Sequence, residues 1–318
     1  MSNIVPATPA AIARAADILR GGGLVAFPTE TVYGLGANAL NPDAVRKIFT
    51  AKERPGWDPL IVHVSGTAMA RTLSRALPPV FETLAEKFWP GPLTFVVEKT
   101  AQVPDEVTAH RPTVALRMPR HPLASALLAA AQVPIAAPSA NRFGRPSPTL
   151  AAHVADDLGA RVDLILDAGP TELGVESTVL DLTQSPPAML RPGGVSREEL
   201  TAILGEVPLH DGVADEVAAQ GLAGPGMTLK HYAPRAALEL FESETALRAR
   251  EAELRRQSRR VGALCEENAE RLARELFAEL RRHDADGVEV ILVLLPSPEG
   301  IGFAVRDRLR RAAFKATP

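Results

Sequence analysis

Hydroxyl, carboxyl and cationic side chains cluster at several points where apolar segments of the sequence end. The first cluster is FPTETVYGLGANA (27–39), in which Thr29, Glu30 and Thr31 follow an apolar run. Its two glycines permit close approach of the backbone to a ligand. Ligands of open α/β sheets bind at strand ends, so these groups suit a polar small molecule. A tight, capped strand exit would use the same residue types.

A second cluster, KERPGWDPLIVHV, places Lys52, Arg54, Asp58 and His63 around two prolines. An ammonium and a guanidinium two residues apart on a stiffened loop suit a polyphosphate, although a solvated loop with two cations is the alternative. As a loop cation, Arg54 is expected to contribute little to stability, so that Arg54→Ala should leave the fold intact. His63 ends an apolar segment, where a satisfied core histidine is the common case.

The third cluster begins with Arg117, which lies in the apolar segment TVALRM. An unpaired buried charge costs several kcal/mol, so Arg117 needs an acidic partner or an anionic ligand. Ser139 and Asn141 follow the apolar segment VPIAA, and Ser147 lies in a proline-bounded loop. These groups are donors for phosphate or ribose, or they build turns.

Two further segments end in polar groups, GVESTVLDL with Ser177 and LRPG with Arg191. The sequence contains neither a GxxxxGK[ST] loop nor a GxGxxG fingerprint, so a bound nucleotide would need another device. Hydroxyls and cations at five separate segment ends predict one convergent pocket.

The composition is that of an ordinary soluble protein and disfavours RNA coating of its whole surface. The 318 residues are 46% hydrophobic and carry a formal net charge of -3. A single cysteine, Cys265, excludes an internal disulfide framework. The N-terminus lacks a signal-peptide pattern and no apolar run reaches membrane-spanning length, so we expect a cytoplasmic protein.

The elements that must position these residues form two domains. Helix patterns alternate through residues 1–205 with eight strand patterns, GLVAFP, PLIVHV, LTFVVE, TVALRM, VPIAAP, VDLILD, STVLDL and AMLRPG. Several of these strands are joined too closely for a helix between them, which indicates an α/β domain with a mixed sheet. Residues 206–235 are rich in small residues, glycine and proline and are interpreted as a linker. Residues 236–318 predict three strands and three helices, a small Rossmann-like domain.

The motifs PTETVYGLGANA, AKERPGWDPLIVH, WPGPLTFV, VALRMPRHP, PIAAPSAN, GVESTVLDL and LRPG together resemble the YrdC-like threonylcarbamoyl-AMP synthases. PGMTLKHYAP is similar to the linker motif of their long, two-domain form. The resemblance implies a YrdC-like twisted, mixed open sheet with flanking helices, plus a small three-layer C-terminal domain. It also implies synthesis of L-threonylcarbamoyladenylate and pyrophosphate from L-threonine, bicarbonate and ATP.

The resemblance also assigns roles to residues. Threonine would be held by Thr31, His63, Arg117, the backbone of Ala137, and Ser177. The nucleotide would be held by Arg54, Asp58, Thr113, Ser139, Asn141, Ser147, Arg191 and Tyr232. Lys52 and Arg54 would carry the catalytic charge that stabilises departing pyrophosphate, and Mg²⁺ would be carried by the ATP phosphates without a dedicated protein site.

The same resemblance implies that the product passes to a tRNA-modifying threonylcarbamoyl transferase, for N6-threonylcarbamoyladenosine at position 37 of tRNA. It suggests a monomer, leaves room for a weak tRNA contact and implies no membrane partner. Asp58 stands where the family often has asparagine, and the C-terminal domain is shorter than usual. Tyr232 is interpreted either as part of a lid over the nucleotide or as a pin that fixes the linker to the first domain.

Two other functions use the same residues. A non-catalytic RNA-binding or ribosome-maturation module of this fold would use Lys52, Arg54, Arg117, Arg142, Arg145 and Arg191 as a concave basic patch. A carbamoyl-transfer domain of a larger maturation protein is the other alternative, but the additional segments expected for it are missing.

Overall fold

Two β-sheets organise the chain in the computed structural model, which describes residues 3–210 and 232–314. The large sheet has the strand order β1-β8-β2-β3-β7-β4-β6-β5-β9-β10. Its strands are β1 (Ile4–Pro6), β2 (Val25–Pro28), β3 (Tyr33–Asn38), β4 (Ile61–His63), β5 (Leu93–Glu98), β6 (Thr113–Arg117), β7 (Ile135–Ala136), β8 (Leu164–Asp167), β9 (Thr178–Asp181) and β10 (Ala188–Arg191). Parallel pairs such as β4 with β6 alternate with antiparallel pairs such as β5 with β6. The predicted mixed sheet is therefore confirmed.

Eight helices accompany the large sheet within the described residues. They are α1 (Pro9–Arg20), α2 (Pro42–Lys52), α3 (Thr67–Leu73), α4 (Val80–Phe88), α5 (Asp105–Thr108), α6 (Pro122–Ala131), α7 (Ala151–Leu158) and α8 (Arg197–Leu204). Local sequence explains where several begin: Thr8 and Asn41 cap α1 and α2 directly before a proline. Ser196 and Glu199 form a capping box at α8.

The small sheet comprises β11 (Ala237–Phe241), β12 (Val261–Leu264) and β13 (Val290–Leu294), all parallel, with β13 in the centre. Helix α9 (Glu244–Arg256) packs on one face, where its Leu247 and Leu254 meet Val290 and Leu292. Helices α10 (Ala269–Ala285) and α11 (Ile301–Ala313) cover the other face. The three-layer C-terminal domain with three strands agrees with the sequence-based prediction.

The two domains share a core. Val32 and Val175 of the first domain lie in the same hydrophobic cluster as Phe277 and Leu309 of α10 and α11. Arg281 of α10 forms a buried ion pair with Asp157 of α7, with Nη2 2.6 Å from Oδ2. The second domain is therefore packed firmly against the first.

The structure describes only part of the predicted linker, 206–235. Residues 211–231, which include most of the predicted lid motif, lie outside the described residues. The domain boundaries at 205 and 235 stay predictions. No helix in the described ranges has both the length and the apolar composition needed to cross a membrane.

Candidate active site

One pocket collects side chains from the ends of several strands of the large sheet. It encloses about 530 Å³ of space free of protein atoms, including its open mouth. Of the predicted site residues, the pocket is lined by Thr31, Arg54, His63, Arg117, Ala137, Ser139, Ser177, Arg191 and Tyr232. The predicted convergence of distant hydroxyls and cations is thus present in the structure.

Arg54 follows α2 and enters the pocket as a buried ion pair, not as a loop cation. Its Nη2 lies 2.8 Å from Asp58 Oδ1, and the two side chains are 4% and 0% exposed. Arg54 also donates to the Pro59 carbonyl and lies over the ring of Phe143. The premise that Arg54 is a solvated loop cation is wrong, and we expect its removal to leave a buried carboxylate without its guanidinium counterion. Asp58 lies behind Arg54 as its counterion.

Lys52, at the end of α2, does not line the pocket. It is buried, and its Nζ donates to the carbonyls of Ser139 and Asn141. Burial, followed by the charge of Arg54, lowers the pKa of Lys52 well below its usual value. Lys52 therefore fixes the backbone of the loop that carries Ser139 into the pocket.

Arg117, the last residue of β6, has the acidic partner that its buried position required. Its Nη2 lies 2.9 Å from Oε1 of Glu30, a fully buried carboxylate. Its Nε donates to the Gly91 carbonyl over 3.3 Å, and the side chain also lines the pocket. Glu30 thus holds a guanidinium in place at the pocket wall.

His63 ends β4 beside Arg117, since the two residues pair across the parallel strands. Among the described residues, neither ring nitrogen of His63 has a hydrogen bond of good geometry, although the Ile135 backbone interacts weakly with the ring. Burial, followed by the charge of Arg117, lowers the pKa of His63 to about 3. His63 is consequently a neutral polar group in the pocket at neutral pH, rather than a satisfied core histidine.

Arg191 and Ser177 approach each other where β9 begins and β10 ends. Arg191 Nη2 donates to the Ser177 carbonyl over 2.9 Å and to its hydroxyl over 3.2 Å. Ser177 Oγ lies 2.8 Å from Thr94 Oγ1. A preorganised guanidinium and hydroxyl therefore stand side by side at this wall of the pocket.

Tyr232 is buried, lines the pocket and contacts both domains. Its ring stacks on Phe277 with centroids 5.4 Å apart, and the N–H of the next residue, Ala233, donates to the Gly144 carbonyl over 2.8 Å. Tyr232 has a left-handed backbone with φ +64°, a conformation that surrounding contacts must hold. These contacts fit a fixed wall of the pocket. The lid stays a prediction.

Five predicted site residues lie outside the pocket lining. They are Lys52, predicted to be catalytic, and Asp58, Thr113, Asn141 and Ser147, predicted to bind the nucleotide. Asn141 orients the loop, because it accepts from Ser139 Oγ over 2.5 Å and donates to the Arg145 carbonyl. Ser147 donates to Glu176 Oε1 over 2.5 Å. Thr113 begins β6, about 13 Å along the strand from Arg117 at its other end.

The proposed basic patch is largely neutralised. Arg142 pairs with Glu53, and Arg145 lies 3.5 Å from a carboxylate oxygen of Asp284. Arg54 and Arg117 have the buried partners already described, and Lys52 is enclosed. A patch whose cations are paired with acids is poorly suited to neutralising RNA phosphates.

Sequence reasoning missed the acids that hold the pocket cations. Glu30 and Glu176 stand in the quoted motifs, but nothing nearby in sequence identifies Arg117 and Arg308 as their partners. An arginine within an apolar strand was the available signal for Glu30. No signal of that kind marked Arg308 in α11.

Comparison with known proteins adds to this geometry. Residues 17–193 match a family model of Sua5, YciO and YrdC proteins described as Telomere recombination, and residues 195–314 match one described as Threonylcarbamoyl-AMP synthase, C-terminal domain. Threonylcarbamoyl-AMP synthase of Pyrococcus abyssi is 44% identical over 316 residues, covering 94% of this chain and 93% of that protein. Its Bacillus subtilis counterpart is also 44% identical, covering 95% and 92%. A crystal structure of P. abyssi Sua5 complexed with L-threonine matches with a TM-score of 0.89 and 42% identity, covering 95% of this chain and 94% of that one.

Proposed function

The chain belongs to the threonylcarbamoyl-AMP synthase family, and we propose that its pocket assembles L-threonylcarbamoyladenylate and pyrophosphate from L-threonine, bicarbonate and ATP. The observation that carries this proposal is the meeting of three arginines, Arg54, Arg117 and Arg191, with hydroxyls in a single pocket. An amino acid and a triphosphate bring the anionic groups that such a pocket binds.

Threonine is assigned to the side of the pocket formed by Arg117 and His63. The guanidinium of Arg117, fixed by Glu30, would bind the substrate carboxylate. The neutral imidazole of His63 adds a polar contact without further charge. Thr31, Ser177 and the carbonyl of Ala137 complete this side, since the Ala137 N–H already donates to Ile61.

ATP is assigned to the side formed by Arg54, Arg191, Ser139 and Tyr232. Asp58, Asn141 and Ser147 would act from behind by holding residues of the pocket wall. Thr113, at the far end of β6, would be reached only by a nucleotide that extends along the sheet. Lys52 becomes a positioning residue in this proposal because it contacts the Ser139 loop instead of the pocket.

The reaction then needs alignment and charge stabilisation rather than a protein nucleophile. The threonine amine forms an N–C bond with carbon dioxide derived from bicarbonate and loses a proton, which gives a carbamate. A carbamate oxygen attacks the α-phosphorus, and the bond to pyrophosphate breaks. Arg54 and Arg191 would stabilise the departing charge, and one such preorganised group is typically worth about 10²- to 10³-fold in rate.

Magnesium is proposed to enter with ATP. The carboxylates closest to the pocket cations, Glu30, Asp58 and Glu176, are each paired with an arginine. No group of three or more potential metal ligands occurs among the residues that the structure describes. The donor set therefore fits a metal held by phosphate oxygens, where it would supply charge neutralisation.

We further propose that the product is passed to a tRNA-modifying threonylcarbamoyl transferase in the cytoplasm, for modification of adenosine 37 of tRNA. The monomeric state that we propose rests on the family resemblance alone. At most a weak tRNA contact agrees with the ion pairs of Arg142 and Arg145.

Pyrophosphate release from ATP by the full chain tests the proposed function. Release should require both L-threonine and bicarbonate, and L-valine, which lacks the hydroxyl, should replace threonine poorly. Measurement of tRNA binding beside it separates the RNA-binding alternative. Tight tRNA binding without threonine-dependent pyrophosphate release would reject the synthase and favour that module.

A further inference from the structure

Arg308 of α11 is a completely buried arginine of the second domain whose guanidinium contacts the first domain. Its Nε donates to Glu176 Oε2 over 2.7 Å, and its Nη2 donates to the Pro192 carbonyl over 2.9 Å. Asp307 accepts from Nη1. A buried cation with this many partners is held in one orientation.

Arg308 contacts two residues that line the pocket, Glu176 and Tyr232. Glu176 and Tyr232 line the pocket, and the Arg308 guanidinium carbon lies 5.2 Å from the centroid of the Tyr232 ring. At this distance the cation is attracted to the aromatic face. Ser147 donates to the other oxygen of Glu176, so the carboxylate is held from two sides.

The charge of Glu176 gives this arrangement a functional consequence. Burial by itself would raise the pKa of Glu176, but the charges of Arg308 and Arg191 and the hydrogen bonds from Arg308 and Ser147 outweigh it, so the pKa is lowered and the group is ionised. An unbalanced carboxylate at the wall of a phosphate-binding pocket repels the ligand. Arg308 supplies the balancing charge from the second domain.

We propose that Arg308 is a positioning residue of the nucleotide site: it neutralises Glu176 and fixes Tyr232 so that a triphosphate can enter. This inference rests on the proposed function, because it takes the ligand of this pocket to be ATP. It gives the C-terminal domain a role in binding that goes beyond packing.

A matched control is available in Arg281 of α10. Arg281 is also a buried arginine between the domains, with Asp157 and the Pro146 carbonyl as its partners. The residues that it contacts do not line the pocket. Replacing Arg281 should weaken the domain contact while leaving Arg308 and Ser147, the partners of the pocket carboxylate Glu176, in place.

The test compares Arg308→Met with Arg281→Met in the full chain. Calorimetry with Mg-ATP gives the Kd, and steady-state assays give the KM for ATP and kcat. Both variants should lower the melting temperature. Only Arg308→Met should raise the Kd and KM for ATP, by about tenfold or more, which corresponds to about 1.4 kcal/mol.

Removing the charge of Glu176 in the Arg308→Met variant distinguishes an electrostatic role of Arg308 from a packing role. Adding Glu176→Gln to Arg308→Met should recover ATP affinity, since the unpaired anion is gone. In Arg308→Met alone, the KM for ATP should fall as the pH is lowered, because the unpaired Glu176 then takes up a proton. The wild type should show much less of this dependence.

Each outcome decides a named claim. The positioning role is overturned if both arginine variants change the Kd alike, if Arg308→Met keeps the wild-type values, or if Glu176→Gln gives no recovery. A wild type that binds ATP without threonine-dependent pyrophosphate release overturns the proposed function alone, and the Kd comparison still decides the role of Arg308. If the wild type binds no ATP, both the proposed function and the positioning role of Arg308 are overturned.

Discussion

At the residue scale, the pocket cations are held by acids before any ligand arrives. Arg54 has Asp58, and Arg117 has Glu30, and all four side chains are nearly inaccessible to solvent. Breaking one side of a buried pair leaves an uncompensated charge that costs about 3–5 kcal/mol. Such pairs fix the positions of the guanidinium groups, which is what charge stabilisation of a reaction requires.

This view predicts that Arg54→Ala destabilises the fold as well as lowering turnover. We expect a loss of about 3–5 kcal/mol in the free energy of unfolding, because the buried carboxylate of Asp58 loses the guanidinium that balances its charge. Arg46→Ala is the control, since the half-exposed Arg46 pairs with Asp43 and Glu106 at the surface and its loss should cost at most about 1 kcal/mol. Urea titration of both variants gives the comparison. Equal stability of the two would show that the Arg54 pair contributes no more than a surface contact.

The lowered pKa of His63 predicts that the stability of the protein depends on pH. Its pKa is about 3 in the folded state, below the unfolded value near 6.5, so between these values the unfolded chain binds more protons. Stability should therefore fall as the pH is lowered through this window, with His63 contributing up to about 1.4 kcal/mol per pH unit. His63→Gln should flatten the slope of unfolding free energy between pH 5 and pH 6.5. A slope that is the same in wild type and His63→Gln would contradict the assignment.

At the element scale, the sequence predicted eight of the ten strands of the large sheet and missed β1 and β3. Strand β3 contains Gly34 and Gly36, residues that usually weaken a strand pattern. The structure shows why Gly36 is there: a Cβ would lie 2.8 Å from both Phe27 and Ile135. Close packing between strands is a tertiary requirement, so local propensity could not reveal it. The ends of β4, β6 and β7 were predictable because polar groups interrupt apolar runs.

The loop after β7 provides a prediction at this scale. Lys52→Met should lower kcat/KM by about tenfold to a hundredfold, because the carbonyls of Ser139 and Asn141 lose their donor and the loop shifts. Lys47→Met is the matched control: Lys47 lies on the same helix and donates to the Gly22 carbonyl, away from the pocket. Steady-state kinetics should show the control within about twofold of wild type. Wild-type kinetics of Lys52→Met would show that Lys52 does not position the Ser139 loop for the reaction.

At the scale of the whole molecule, the two domains form one supporting structure for the pocket. Arg308 contacts Glu176 and Tyr232 of the pocket from α11, and Arg281 joins α10 to Asp157 of α7 away from the pocket lining. The sequence predicted the pocket motifs but not this contact, because arginines on charged helices are usually solvated. Which face of α10 and α11 is buried depends on the partner domain, and that information is not local in the chain.

The substitution Gly174→Ala tests the close contact between the two domains. Gly174 has φ +76°, and a Cβ there would lie 2.3 Å from the Ala273 carbonyl oxygen of α10. Gly169 has a similar φ of +81° but nothing within 4 Å of the added atom, so Gly169→Ala measures the backbone strain alone. Gly174→Ala should cost a further 1–3 kcal/mol, roughly the range for overpacking, because the clash is with backbone that cannot rotate away. Calorimetry should show a lower melting temperature for Gly174→Ala than for Gly169→Ala. Equal melting temperatures would mean that the domains can separate at this contact without loss of stability, and the pocket would then need no support from the second domain here.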